Sequence, residues 1–313
     1  MEGRNASNQK KAKVIDLLRP KYSLSLLLKV SKMSSSSYFD ARKRNYGAHY
    51  NEDESIIKDI EDIRNDPKMI DALSLGYRPL TQYINQKRVN RNESVINHKR
   101  VLRVMKQNGL LSSAYSRKTN KYNSFAGEGH KRHKNHIRQR FITDRPYQKL
   151  GTDVTEVRWG KQTTDERLFI SLFCDFYSGE IVSYSISLHP TTKFVLESLY
   201  PVMELAKGVP YLTTIHSDQG IQYQSNKYQM ILCRSNIRQS MSRKGTPYDN
   251  SPTESLIHKM KIGTVLNHNY ATQAELVVAI KEWIYYYNHE RIRQSNNWET
   301  PIGFRESYTS KNA

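Results

Sequence analysis

The chain has 313 residues, a length that suits two domains rather than one. At 37% hydrophobic and 10% aromatic it can bury a core, which excludes wholesale disorder, while 49 Lys and Arg against 30 Asp and Glu leave a formal charge of +19. A surplus of that size repels itself in a compact fold and points to a polyanionic partner, nucleic acid first. Cys174 and Cys233 are too few for a disulfide framework or a four-thiolate zinc site and suit a reducing cytosol. No apolar run approaches the roughly 20 residues of a membrane span, and Met1 to Val14 has no apolar signal region. A soluble protein, neither secreted nor membrane-bound, is expected.

The charge is uneven: 31 basic and 14 acidic residues precede Tyr147, against 18 and 16 from there on. In the first part, Leu24, Leu27 and Leu28, then Tyr38 and Phe39, flank the polar run Ser34 to Ser37 and predict two short helices joined by a turn. Ile56, Ile57, Ile60 and Ile63 follow at helical spacing, then the breaker Gly76-Tyr77-Arg78-Pro79 and a short run through Ile84. Val95 to Leu110 places Ile96, Val101, Leu102 and Met105 on one face and Lys99, Arg100, Arg103 and Lys106 on the other. Small helices with a basic face are what a helix-turn-helix module presents to a major groove, so residues 1–113 are expected to be an all-α DNA-binding region. A helical bundle with a solvated charged face is the plainer alternative for any one of them. Ten Lys or Arg between Ala114 and Lys149, against Glu128 and Asp144, mark 114–147 as a basic linker.

After the linker the texture turns to strands. Leu150 to Trp159, Arg167 to Tyr177 and Ile181 to Ser187 predict a three-stranded antiparallel meander. A helix (Thr192 to Lys207), a strand (Tyr211 to Ser217), a helix (Tyr223 to Arg234), a short strand (Ile237 to Met241) and helices from about Pro252 and from Thr272 to Asn288 complete the order. Residues 148–313 are therefore expected to be an α/β domain, a mixed five-stranded sheet with flanking helices.

Three acids stand out by position. Asp153 lies in the first strand, Asp218 ends the fourth at the edge where ligands of α/β sheets gather, and Glu254 opens a helix thirty-six positions later. Hard oxygen ligands converging from different elements are what a pair of Mg²⁺ ions needs to clamp the attacking and leaving oxygens of a phosphodiester displacement. Each acid also has a plainer reading: a strand-edge acid, turn chemistry before Gly220, and a capping box in Ser251-Pro252-Thr253-Glu254.

Asp153-Val154-Thr155, His216-Ser217-Asp218-Gln219-Gly220-Ile221-Gln222-Tyr223, and Ser242-Arg243-Lys244-Gly245 through Tyr248-Asp249-Asn250 to Glu254-Ser255 resemble the Asp-Asp-Glu core of bacterial insertion-sequence transposases. More narrowly, they are similar to the second-frame product (OrfB) of elements whose core resembles retroviral integrase. The thirty-five residues between Asp218 and Glu254, Lys261 seven further on, and the closing Trp283 to Asn288, Arg291 and Thr300-Pro301 match that family. Leu28 to Ser31, Tyr38, Gly76 to Leu80 and Lys99-Arg100-Val101 are similar to its helix-turn-helix region. Leu150, where the family often has Trp, and Leu256-Ile257, where it often has two aromatics, depart from it in packing positions.

The resemblance implies a ribonuclease-H-like core. Asp153, Asp218 and Glu254 would be catalytic metal ligands, and Lys261, with Arg243 and Lys244, would contact DNA. It implies two Mg²⁺ ions, with Mn²⁺ as a substitute, and a bacterial, cytoplasmic, nucleoid-associated transposase that cuts element ends and joins the 3′-hydroxyl to target DNA. Its partners would be those DNAs, further copies of itself and, as a candidate, the upstream-frame product (OrfA), which supplies the leucine zipper that this chain lacks. The alternative function is a DNA-binding regulator on an inactive integrase-like frame. A tyrosine recombinase is disfavoured because no His has Arg three residues on. Zinc binding by His130, His133 and His136 is disfavoured by Lys131, Arg132, Lys134, Arg138 and Arg140 around them.

Overall fold

The computed structural model describes residues 8–43, 46–112, 134–243 and 246–312. The chain divides into two compact units, Met1–Ile60 and Glu61–Ala313. In the first, α1 (Asn8–Leu18) packs on α2 (Leu24–Ser31) and α3 (Ser35–Lys43) around Ala12, Ile15, Leu27, Met33, Tyr38 and Ala41. Lys32 ends α2 in the left-handed region at φ 51°, and Ser34 Oγ accepts the Ser37 N–H at 3.1 Å. Ser34 thus acts as a helix cap, so the serine run predicted as a turn is mostly the start of α3.

Helix α4 (Tyr46–Arg64) runs across the division in the chain. In the second unit, α5 (Tyr77–Asn90) packs on α6 (His98–Gln107), which Asn97 caps through the Lys99 N–H at 2.9 Å. The predicted apolar face of α6 is buried at Val101 and Met105, with Val104 added and Leu102 only partly covered. A buried carboxylate fastens this helical stretch to the end of the chain. Asp71 accepts from Tyr286 Oη at 2.7 Å and Arg291 Nε at 2.6 Å, and nearby the Tyr83 hydroxyl oxygen accepts the Ile292 N–H at 3.0 Å. Compactness divides the chain at 60/61, and the helices between residues 61 and 107 fall in the same unit as the sheet.

The sheet comprises β1 (Lys149–Arg158), β2 (Arg167–Asp175), β3 (Ile181–Ser187), β4 (Thr214–Ser217) and β5 (Arg238–Met241) in the order β3-β2-β1-β4-β5. The first three pair antiparallel, whereas β4 runs parallel to β1 and β5 parallel to β4, the mixed sheet expected. The predicted helix from Tyr223 to Arg234 breaks at Ser225, which caps α9 (Asn226–Arg234) after the single turn α8 (Ile221–Gln224). One sheet face packs Leu168, Ile170 and Leu172 against α10 (Ser251–Gly263) and α11 (Gln273–His289) through Met260, Ile280 and Trp283. The other packs Leu150, Phe173 and Ile215 against α9 and α7 (Thr192–Lys207) through Val195, Leu199 and Tyr228. A last helix, α12 (Pro301–Asn312), lies where only a tail is expected from sequence. It is held by Arg305 on Glu180 at 2.6 Å and by Phe304 stacked on Tyr177 at 4.9 Å.

Candidate active site

The register of β1 on β4 pairs Leu150 with Ile215 and Gly151 with His216. Asp153 and Asp218 each lie two residues beyond that last pair. Asp153 is thus inside β1, while Asp218 follows the last residue of the neighbouring β4. Helix α10 packs across β1 and brings Glu254 in its first turn. Close approach depends on Gly151, where an added Cβ would overlap Thr253 Oγ1 and the Phe176 ring. A Cβ-free residue two before Asp153 is thus what lets the start of α10 lie on the strand.

The capping-box reading of Glu254 fails on geometry. The helix begins at Ser251 with Asn250 as its N-cap, so Glu254 is one residue too far along, and no side chain caps this helix. Glu254 is exposed as a residue although its carboxyl group is partly buried, and it accepts no hydrogen bond from the described residues.

Electrostatically the three acids act on one another. Asp153 is pushed up to about 8, first by burial, then by Asp218 and Glu254, against the lowering effects of the Val154 N–H and Lys261. Asp218 is also raised by burial, partly offset by the Gly220 N–H, and Glu254 is raised by burial and by Asp218. Close carboxylates that raise one another's proton affinity are a setting that a divalent cation relieves. The donor set, hard carboxylate oxygens only, suits Mg²⁺. Among the described residues no three such side chains are drawn together tightly enough to hold an ion as they stand. Asp153 Oδ1 instead accepts its neighbour Val154 N–H at 2.7 Å, and Asp218 Oδ1 accepts the Gly220 N–H at 2.9 Å. The acids lie outside the cavity of about 430 Å³ lined by Leu168, Tyr184, Glu197 and Lys281, among others.

Of the basic candidates, Lys261 is partly buried, its ammonium pKa lowered by desolvation and supported by Asp153 and Glu156. Arg243 is committed to an ion pair, its Nε 3.0 Å from Asp249 Oδ2, although most of its side chain remains exposed. Lys244 lies outside the described residues, as do His130 and His133. His136 spends its backbone N–H on Ser240 Oγ at 2.9 Å.

Sequence reasoning missed the supports beneath the acids. Buried Tyr223 shares a 3.2 Å hydrogen bond with Thr152 Oγ1, and its phenol is held protonated by burial and then by the charges of Asp153 and Asp218. His216 is clasped between Ser240 Oγ at 2.9 Å and Ser242 Oγ at 3.2 Å, and burial drives it down to about 4, so it is neutral at pH 7. Asp249 gathers five donors. All three lie inside the motifs that carry the family resemblance, where only the acids and bases drew attention.

A five-stranded mixed sheet in this order, with Asp153 inside β1, Asp218 just past β4 and Glu254 on a helix packed against β1, is a ribonuclease-H-like fold. The integrase core domain family matches residues 143–247 and 235–301. A Haemophilus influenzae protein described as transposase-like is 34% identical over 210 residues, 67% of this chain and 93% of its own length. The InsK protein of insertion sequence element IS150 from Escherichia coli K12, named for transposition, is 31% identical over 294 residues, 94% of this chain and 97% of its own. The catalytic core domain of HTLV-2 integrase, solved in complex with magnesium, aligns at 16% identity and a TM-score of 0.39, over 52% of this chain and 99% of its own. The chain belongs to the insertion-sequence transposases with an integrase core, enzymes that cleave and join DNA strands. Among the described residues no helix is long and apolar enough to cross a membrane.

Proposed function

We propose that Asp153, Asp218 and Glu254 form one metal-binding catalytic site that cleaves element ends and joins the 3′-hydroxyl to target DNA by phosphoryl transfer. The observation that carries this reading is three acids supplied by three neighbouring elements: Asp153 on β1, Asp218 just past the adjacent β4, and Glu254 in the first turn of α10, which packs on β1. Two Mg²⁺ ions held there, with Mn²⁺ as a substitute, would supply activation of the attacking oxygen and stabilisation of the leaving one. Asp153 and Asp218 would orient donors from the rigid sheet, and Glu254 would reach in from α10. Lys261, beside Asp153, would hold a phosphate of the bound strand, and Arg243 would do so from its exposed guanidinium edge.

The helices through residue 113 and the basic stretch to 147 would grip the DNA, with 148–313 cutting it. Joining two ends calls for at least two copies of the chain, and OrfA is a candidate further partner. The setting would be the bacterial cytoplasm, on the nucleoid. The Asp218→Asn variant tests the reading. Mg²⁺-dependent cleavage and joining of an end-containing duplex should be lost, while DNA binding stays intact or tightens as repulsion from phosphate falls. Cleavage that survives the substitution overturns the metal assignment.

A further inference from the structure

We infer that Asp249 is a positioning residue for the transposase reaction, a clasp that fixes the start of α10, and hence Glu254, to the later part of the basic linker. This rests on the reading of Glu254 above. The Asp249 side chain is fully buried and its two oxygens take five N–H donors. Oδ2 accepts the Arg243 N–H at 2.9 Å, Arg243 Nε at 3.0 Å and Asn135 Nδ2 at 2.8 Å. Oδ1 accepts Arg243 Nη2 at 3.0 Å and Gln139 Nε2 at 3.0 Å. A buried carboxylate is tolerated when its lone pairs are filled in this way, and bidentate Arg pairing makes the contact directional as well as strong. Its pKa is accordingly held well below the ordinary carboxylate range, chiefly by Arg243.

What the clasp joins matters for the chemistry. Asp249 closes the short turn 247–250 that leads directly into α10, five residues before Glu254. The next residue, buried Asn250, extends Nδ2 toward the Thr152 carbonyl, next to Asp153, at 3.5 Å. No side chain caps α10, and Glu254 has no hydrogen bond of its own among the described residues, so the helix start sets where that carboxylate stands. On the other side, the segment held by Asn135 and Gln139 is stitched to β5. The His136 and Ile137 N–H groups share Ser240 Oγ, and the Lys134 carbonyl accepts the Met241 N–H at 3.3 Å. Ser240 also binds His216, two residues before Asp218. One buried carboxylate thus gathers the later part of the linker, the Arg243 loop and the Glu254 helix, beside the strand that Asp218 follows.

The test uses the full chain with an end-containing duplex. Asp249→Asn keeps size and one acceptor but loses the charge that holds Arg243 in a fork. The Mg²⁺ concentration giving half-maximal cleavage should rise about tenfold or more, with the rate recovering at high Mg²⁺, while DNA affinity stays within about twofold. By hydrogen exchange without metal, the amides of His136, Ile137 and Arg243 should exchange at least about tenfold faster, with those of α11 unchanged. If that variant fails to fold, Gln139→Ala, which removes one donor, should shift the Mg²⁺ midpoint about threefold in the same direction. A lower plateau with an unmoved midpoint, or unchanged exchange at those amides, overturns the clasp. A wild-type chain without Mg²⁺-dependent cleavage overturns the catalytic reading and the clasp with it, whereas loss confined to Asp249→Asn leaves the former standing.

Discussion

Substituting Asp71 by Ala should uncouple the helical stretch after residue 61 from the end of the catalytic unit. The Asp71 side chain is 1% exposed and that of Arg291 11%, so their 2.6 Å contact is desolvated. The same carboxylate accepts from Tyr286 Oη at 2.7 Å and Ser74 Oγ at 3.3 Å. Removing it strands a buried guanidinium and a buried phenol, and breaking such a pair from one side costs about 3–5 kcal/mol. Tyr286→Phe, which deletes one hydrogen bond to a charged group and leaves the ion pair, should cost about 1.5–3 kcal/mol. Replacing both charges, Asp71→Ala with Arg291→Met, should cost less than the sum of the singles, because neither charge is left alone. Urea unfolding followed by tryptophan fluorescence measures all of these, with Trp283 in the core that α10 and α11 form. An Asp71→Ala loss below about 1 kcal/mol, or strictly additive singles, would refute the view that this carboxylate ties the two parts together.

Three further outcomes follow from the same geometry. A carboxyl whose proton affinity is raised by burial and by its acidic neighbours binds its proton more tightly in the folded state, so its contribution to metal-free stability is fully present below about pH 4 and is lost as pH rises. Asp153→Asn should flatten that fall and stabilise the metal-free protein at pH 8 relative to pH 4, and thermal unfolding across pH 4–8 checks it. Gly151→Ala, which forces a methyl into Thr253 and Phe176, should cost about 1–3 kcal/mol by overpacking and cut cleavage more than DNA binding, as kinetics and gel shifts would register. Deleting residues 1–43 should lower the salt slope of DNA binding by about 0.9 for each phosphate that the shortened chain no longer neutralises, and an unchanged slope would place the DNA surface elsewhere.

The sheet was legible because its strands carry long apolar or alternating runs bounded by Gly and polar turns. Ile181 to Ser187 matches its strand residue for residue. Capped helices were nearly as clear, with Thr272 and Glu275 making the capping box that opens α11. The serine run before α3 misled because the same residues that make turns also cap helices. The short α8 was invisible because a four-residue helix has no periodicity to read. The attachment of residues 61–112 to the end of the chain was hidden because the side chains that make it, Asp71 and Tyr83 among them, have partners more than two hundred positions away. The three acids stood out by position and spacing, but the side chains packed around them did not. Gly151 acts through the atom it lacks, and Asp249 through donors 110 or more positions away as well as through Arg243.

The central claim is that three carboxylates from three elements work as one site. Single-turnover cleavage of an element end with Mg²⁺ should be measured for Asp153→Asn, Asp218→Asn, Glu254→Gln and their double combinations. Residues acting as a unit are strongly non-additive, so each single variant should fall by about 10³-fold or more and the doubles should fall little further. A single variant that keeps cleavage near the wild-type rate would contradict the claim, because the site would then not need that acid.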